Sequence, residues 1–221
     1  MFKLETHCHT SEVSVCGKVS ACDIVDAYIE AGYSGIVITD HFNRATFLNK
    51  PELKTREIAD HFLSGYRAAR EAAKGRIDVL LGMELTFYEN DNDYLVYGVT
   101  EKFIKKNPNI MDMGIERFSK LAHDNGMIIF QAHPFRNHMC VINPSLLDGY
   151  EVFNANARHD SRNDIAQMWA QKFEKAMSSG SDYHRLEDLG RGGIMTKKRI
   201  VDNTMLKNVL MGSDKELIKT I

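Results

Sequence analysis

The chain has 221 residues, 43% of them hydrophobic, enough to bury one core as a single domain of about 200 residues. Its formal net charge is −2, and no run of Lys or Arg resembles the footprint of a nucleic-acid binder. The longest apolar runs reach about five residues against about 20 for a bilayer crossing, which excludes a helical membrane span. Charged residues at positions 3 and 5, with no apolar run after them, argue against a signal peptide. Cys8, Cys16, Cys22 and Cys140 form no C-x-x-C pair, so free thiols in a reducing cytoplasm are expected. Lys197, Lys198 and Arg199, the one dense basic cluster, read as a solvated turn.

Phe2, Leu4 and Thr6 alternate with Lys3 and Glu5, which predicts a strand at the start of the chain. His7 and His9 share its parity, so their imidazoles leave one face and can hold a cation between them. Ser20 with Asp23 predicts a helix start, Ala21, Ile24, Val25, Tyr28 and Ile29 keep helical spacing, and Gly32 predicts the stop. The apolar run 35–39 reads as a strand buried on both faces, followed at once by Asp40 and His41. A helix over 52–74 and a strand over 77–81 repeat the unit, the latter running into Gly82-Met83-Glu84. Strands follow over 94–99, 127–130, 150–153 and 177–180, with helices over 112–125 and 161–176. His133 follows the second of these strands, Arg158 and His159 the third, and Asp182 and His184 the fourth. A last strand is predicted over 194–196. Residues 1–196 read as one barrel domain and 197–221 as a helical extension, in which Val201, Met205, Leu206 and Val209 to Met211 form one amphipathic helix that packs on the barrel or on a second copy.

One regularity decides the architecture. Strand after strand ends in a metal-capable residue: His7 and His9, Asp40 and His41, Glu84, His133, then Asp182 and His184. Parallel strands alternating with helices bring their C-terminal ends to one rim, where sites of such barrels lie. The reading is an α/β chain, a (β/α) barrel one strand short of eight. An open doubly wound sheet, which collects the same ends along one edge, is the alternative.

The ordered motifs His7-x-His9, Thr39-Asp40-His41, Gly82-x-Glu84, Ala132-His133-Pro134 and Ser181-Asp182-x-His184 resemble those of the PHP (polymerase and histidinol phosphatase) family. The resemblance covers residues 1 to about 195. It implies a distorted seven-stranded TIM-like (β/α) barrel holding two or three divalent ions (Zn, Mn or Fe) at its C-terminal rim and cleaving phosphate esters. Carried over position by position, it implies that His7, His9, Glu84 and Asp182 hold a first ion. Glu84 bridges to a second, held by His133, and His41 and His184 belong to a third. Glu84 and Asp182 are then the catalytic carboxylates, flanking a metal-bridging hydroxide. Asp40 reads as the acceptor that fixes a ligand imidazole.

Two positions depart from the resemblance. Ser14 and Val15 stand where a third-site His or Asp is expected, which makes Glu12 and Cys16 candidate replacements. Leu95 stands near a second-site His, and Asp93, two residues earlier on the same face, is the candidate there. Arg136, Arg158 and Arg191 are candidate phosphate-binding groups, since a guanidinium fits a phosphate with fixed geometry. Arg191 lies in a glycine-rich turn that offers either amides for an anion or room for a strand. His159 is the candidate acid for a leaving group. His61 and His123 read as helix-surface residues, and His138 as a loop residue.

The expected activity is hydrolysis of a small phosphorylated metabolite, without nucleic-acid or membrane partners. Alternatives are a histidinol-phosphatase-type reaction and a catalytically weak PHP module that binds or regulates.

Overall fold

The structure is a computed structural model and describes residues 1–48, 50 and 53–220. In chain order its elements begin with β1 (Phe2–Cys8), α1 (Ala21–Glu30), β2 (Gly35–Ile38), β3 (His41–Phe42), α2 (Arg44–Leu48) and α3 (Thr55–Ala73). Next come β4 (Asp78–Thr86), β5 (Asp93–Tyr97), α4 (Glu101–Lys106), α5 (Gly114–Asp124), β6 (Ile128–Gln131) and β7 (Gly149–Asn154). Last are α6 (Asn163–Lys172), β8 (Ala176–Gly180), β9 (Gly192–Thr196), α7 (Asn203–Met211) and β10 (Glu216–Lys219). The helix predicted from residue 52 is α3; residue 52 itself lies outside the described residues. At α1 the expected cap is present: the Ser20 hydroxyl accepts from Asp23 N at 3.2 Å, and Ala21, Ile24, Val25 and Tyr28 are buried.

Nine strands pair in the order β10-β9-β1-β2-β4-β5-β6-β7-β8, with β3 branching from β4, and form a nearly closed barrel. The fold is the distorted TIM-like barrel expected, with two corrections: nine strands stand in the pairing order where seven were expected, and not all of them are parallel. The rim argument assumed parallel strands, but β5 runs antiparallel to both β4 and β6. Residues 87–92 are too few for a helical crossover, so β4 and β5 can only be joined as a hairpin. Asp93 therefore reaches the rim from the start of its strand.

The barrel seam lies between β8 and β1. Near the rim Tyr183 N donates to His7 O at 3.1 Å and His9 N to Tyr183 O at 3.0 Å. Farther down, β9 pairs antiparallel with β1, and β10 pairs with β9. Glycine is required at this seam: a Cβ on Gly192 would come within 2.1 Å of Gly180 C, and one on Gly180 within 2.4 Å of His7 Cβ. The glycine-rich turn thus gives β9 room to pack. The charged end of the chain, expected after a helix, adds β10 to the sheet behind α7.

Alternation along the strands sorts the interior into two layers. Leu4, Val37, Leu80, Leu95, Tyr97, Phe130 and Ile194 belong to one apolar cluster within the barrel, joined by Ile200, Leu206 and Leu210 from the tail. Beyond Leu80 and then Gly82 on one face of β4 comes Glu84, and above Tyr97 and Leu95 on β5 comes Asp93. The β1 register shifts between Glu5 and Cys8. Below the shift Glu5 accepts from Tyr28 of α1, and above it His7 and His9 enter the site while Cys8 packs with α1. The polar layer rests on the apolar one. That order places His7, His9, Glu84, Asp93 and His133 at the rim.

Candidate metal centre

Glu84 stands at the middle. Its Oε1 lies 3.2 Å from both His7 Nε2 and His133 Nε2, and its Oε2 lies 3.3 Å from His9 Nε2 and 2.8 Å from His41 Nδ1. Asp182 Oδ1 approaches His7 Nε2 at 3.6 Å, His9 Nε2 at 3.5 Å and His184 Nδ1 at 3.3 Å. Among the described residues three groups have ligand atoms within 4.8 Å of one another: His7, His9 and Glu84; Glu84, Asp93 and His133; His9, His41 and His184. His133 (φ 28) and Asp182 (φ 49) hold left-handed backbone conformations uncommon outside glycine, of the kind that clusters at functional positions.

Electrostatics sets these groups against one another. Burial opposes charge on His7, but Glu151, Glu84 and Asp182 outweigh it and raise the imidazole well above its ordinary pKa. Burial, reinforced by His41 and His184, pushes His9 well below. Burial also penalises the Glu84 and Asp182 carboxylates, yet the surrounding imidazoles hold both well below the usual range. Asp93 goes the other way, raised by burial and by Glu84. Several buried atoms still find no hydrogen-bond partner, among them His7 Nε2, His9 Nε2, His41 Nδ1 and Glu84 Oε2. Buried polar atoms are rarely left unpaired, and here the unpaired ones converge on shared points. Imidazole nitrogens and carboxylate oxygens so arranged fit divalent cations.

A second layer of groups holds the first. Glu151, fully buried on β7, accepts from His7 Nδ1 at 2.8 Å, from His133 N at 3.1 Å and from Asn154 Nδ2 at 2.9 Å. Asn154 Nδ2 and Asn156 Nδ2 donate to Asp182 Oδ2 at 3.2 and 3.4 Å. Glu5 accepts from the amides of Thr6, His7 and Ser181, each at 2.9 Å, and so ties β1 to the Asp182 loop. The rim opens into a cavity of about 510 Å³ whose lining includes His41, Glu84, His133, Arg136, His159 and His184.

The family model for the PHP domain matches residues 5–189, a span that takes in every one of these groups. The chain belongs to the PHP domain family. It is 28% identical over 104 residues to the probable histidinol-phosphatase of Deinococcus radiodurans, a match covering 46% of this chain and 35% of that protein. A two-domain protein from Bacteroides vulgatus containing a predicted PHP-like metal-dependent phosphoesterase superposes with a TM-score of 0.74 at 15% identity. That match covers 99% of this chain and 65% of that one. PsfC from Pseudomonas syringae gives a TM-score of 0.68 at 13% identity over 99% of this chain and 91% of its own. This chain thus spans about a third of the Deinococcus protein and two thirds of the Bacteroides one.

Within this PHP domain, His7, His9, His41, Glu84, His133, Asp182 and His184 all meet at the rim, as the motifs imply. Asp93 joins Glu84 and His133, and its Oδ1 accepts from Thr86 Oγ1 at 2.5 Å. Leu95 is buried in the apolar layer below. Cys16 Sγ lies 3.0 Å from His184 Nε2. Cys16 is exposed at the cavity mouth, and although partial desolvation disfavours its thiolate, the neighbouring His184 and His41 prevail and bring the thiol to about 6. Glu12 faces elsewhere: its carboxylate accepts from Ala21 N at 2.9 Å at the start of α1. Asp40 reaches an imidazole only through a relay, accepting from Ser14 Oγ at 2.8 Å, which in turn lies 3.2 Å from His9 Nδ1.

The arginines divide. Arg136 lines the cavity, donates to Asp182 Oδ2 at 2.9 Å and keeps a buried Nε without a partner. Arg158 also lines it but spends both terminal nitrogens on Asp188, at 2.8 Å each. Arg191 does not line it, and its backbone carbonyl accepts from Thr220 N. His159 lines the cavity, and burial followed by the Arg136 charge lowers its pKa. His123 instead pairs with Asp148 at 2.9 Å.

Sequence reasoning missed Glu151, Glu5 and Ser14 as organisers of the site. A signal for Glu151 existed: a single carboxylate within the apolar run Tyr150-Glu151-Val152-Phe153 is costly to bury without a partner.

Proposed function

We propose that this PHP domain is a metal-dependent hydrolase of phosphate esters of small metabolites. The observation that carries the reading is the convergence on Glu84 of four imidazoles whose facing nitrogens lie 2.8–3.3 Å from its two oxygens, with buried atoms left unpaired. His7, His9, Glu84 and Asp182 would hold one cation, and Glu84, Asp93 and His133 a second. Bound divalent cations supply a water made acidic near neutral pH and neutralise charge on the phosphoryl oxygens.

The chain's own groups do the rest. Glu151 keeps the His7 Nδ1 proton, so that Nε2 presents a lone pair to the site. Arg136 braces Asp182 and leaves Nε as a donor within the cavity wall. His159, whose ring makes no hydrogen bond among the described residues, is free to turn toward a leaving-group oxygen and donate a proton there. A second reading narrows the substrate to histidinol phosphate, and the partial match to the Deinococcus protein favours it.

Hydrolysis of p-nitrophenyl phosphate by purified protein, with and without manganese or zinc, tests the first reading. Metal-stimulated turnover should fall at least 100-fold in Glu84→Gln and in His9→Ala, the scale on which single electrostatic groups of active sites act. Equal rates in wild type and both variants would rule it out and favour a binding module. A panel including histidinol, sugar and nucleotide phosphates tests the narrower one.

A further inference from the structure

We infer that Cys16 completes a thiolate-containing cation pocket with His41 and His184, and that this pocket selects zinc beside two neighbours built from carboxylates and imidazoles. The inference rests on the metal-dependent reading above and concerns the group of imidazoles left over by it. His9 borders that group, with ring centroids 4.3 Å from those of both His41 and His184. Only its Nε2 is free, because Nδ1 faces Ser14 Oγ, and that nitrogen is the buried unpaired atom 3.3 Å from Glu84 Oε2. Counted with Glu84, His9 leaves two imidazoles, one short of the three protein ligands usual at an open zinc site.

Among the described residues, the loop after His9 offers a third ligand. Of the polar side chains between His9 and Gly17, Ser11 is exposed, Glu12 is committed to the α1 amide, and Thr10 and Ser14 are committed to Asp40. Cys16 points its sulfur at this group, 3.0 Å from His184 Nε2, and lines the same cavity as His41. His184 is already in the tautomer a ligand needs: Nδ1 donates to Asp182 O at 2.8 Å, which turns the Nε2 lone pair toward the sulfur. Backbone bonds hold the cysteine in place from both sides. Gly17 N donates to Ser14 O and Lys18 N to His184 O, both at 2.9 Å, and a Cβ at Gly17 would meet Thr10 O at 2.7 Å.

Ligand softness then separates the pockets. A thiolate with imidazoles prefers zinc-class ions, whereas carboxylate-rich groups such as Glu84, Asp93 and His133 accept manganese or iron as well. Binding releases the thiol proton to solvent and forms the metal–sulfur bond, with no change of oxidation state.

Cobalt(II) loading of the metal-free protein reads the sulfur directly. Wild type should show a thiolate-to-cobalt charge-transfer band in the near ultraviolet, and Cys16→Ser should lack it. Equilibrium dialysis should show Cys16→Ser losing one zinc equivalent while keeping the others. Cys16→Asp should restore that equivalent without the band, and with manganese now competing for it. Because the loop is pinned by backbone bonds, circular dichroism should not distinguish the variants. No band, together with zinc content unchanged in Cys16→Ser, would overturn the inference and leave the hydrolase reading standing. Failure of wild type to retain any cation would overturn both.

Discussion

The residues that touch the candidate ligands, rather than the ligands themselves, make the sharpest predictions. Glu151 takes the His7 Nδ1 proton and the His133 amide together, so Glu151→Gln keeps the shape and loses the charge that orients both. Metal affinity should fall about 10–100-fold, measured by competition with a chromophoric chelator, as for other partners of ligand imidazoles. His159 gives a test that depends on the leaving group. p-Nitrophenolate departs without help, whereas a sugar or amino-alcohol alkoxide needs a proton. His159→Gln should therefore leave p-nitrophenyl phosphate turnover nearly unchanged and slow alkyl phosphate hydrolysis by about 100-fold or more. Equal losses on both substrates would remove His159 from the acid role. At this scale the sequence marks groups by their chemistry: imidazoles and carboxylates at strand ends announce themselves. Ser14 and Glu5 do not, because their importance comes from partners that only folding brings near, Ser14 lying 27 positions from the His41 amide it accepts from.

Among the elements, the seam between β8 and β1 sets the geometry of the site. Gly180 touches His7, so Gly180→Ala forces a methyl against the imidazole stem. It should cost about 1–3 kcal/mol, the range for overpacking, and also weaken cation binding, since His7 moves with it. Thermal unfolding and chelator competition on the same variant check the two effects. Stability lost with metal affinity intact would mean that the seam does not position His7. Most strands were legible from short apolar runs between helical stretches, which are distinctive in a (β/α) chain. The direction of β5 was not, because side-chain alternation has the same period in either orientation and only the short connection 87–92 carries the distinction. β10 was missed for a plainer reason: its four residues are half-exposed or exposed and have no apolar run to advertise a strand.

Taken whole, the molecule stacks a charged rim on an apolar barrel floor, and that arrangement is expensive without counter-ions. Glu5, Glu84, Glu151 and Asp182 are all at most 2% exposed, which disfavours the folded state unless donors or cations answer them. Cations that bind only the folded form should stabilise it by about 2.7 kcal/mol at a hundredfold excess over Kd, or about 5–10 °C in Tm for a chain of this size. Chelation should remove that increment, and scanning calorimetry with and without chelator reads it. An unaltered Tm would mean that the rim tolerates its own charges. Barrel class and rim position were legible because strand after strand ends in the same chemistry. The tail's packing face was only partly legible: Leu206 is buried, but Val201 and Met211 are exposed, and Ile200 and Leu210 join the barrel cluster through contacts their spacing does not specify. The most direct test of the whole account is elemental analysis of the purified protein by plasma mass spectrometry, comparing wild type with Glu84→Gln. The account predicts two or three divalent ions per wild-type chain, as the three ligand groups imply, and loss of at least one in the variant. Fewer than one ion per chain in wild type, or identical content in both, would contradict it.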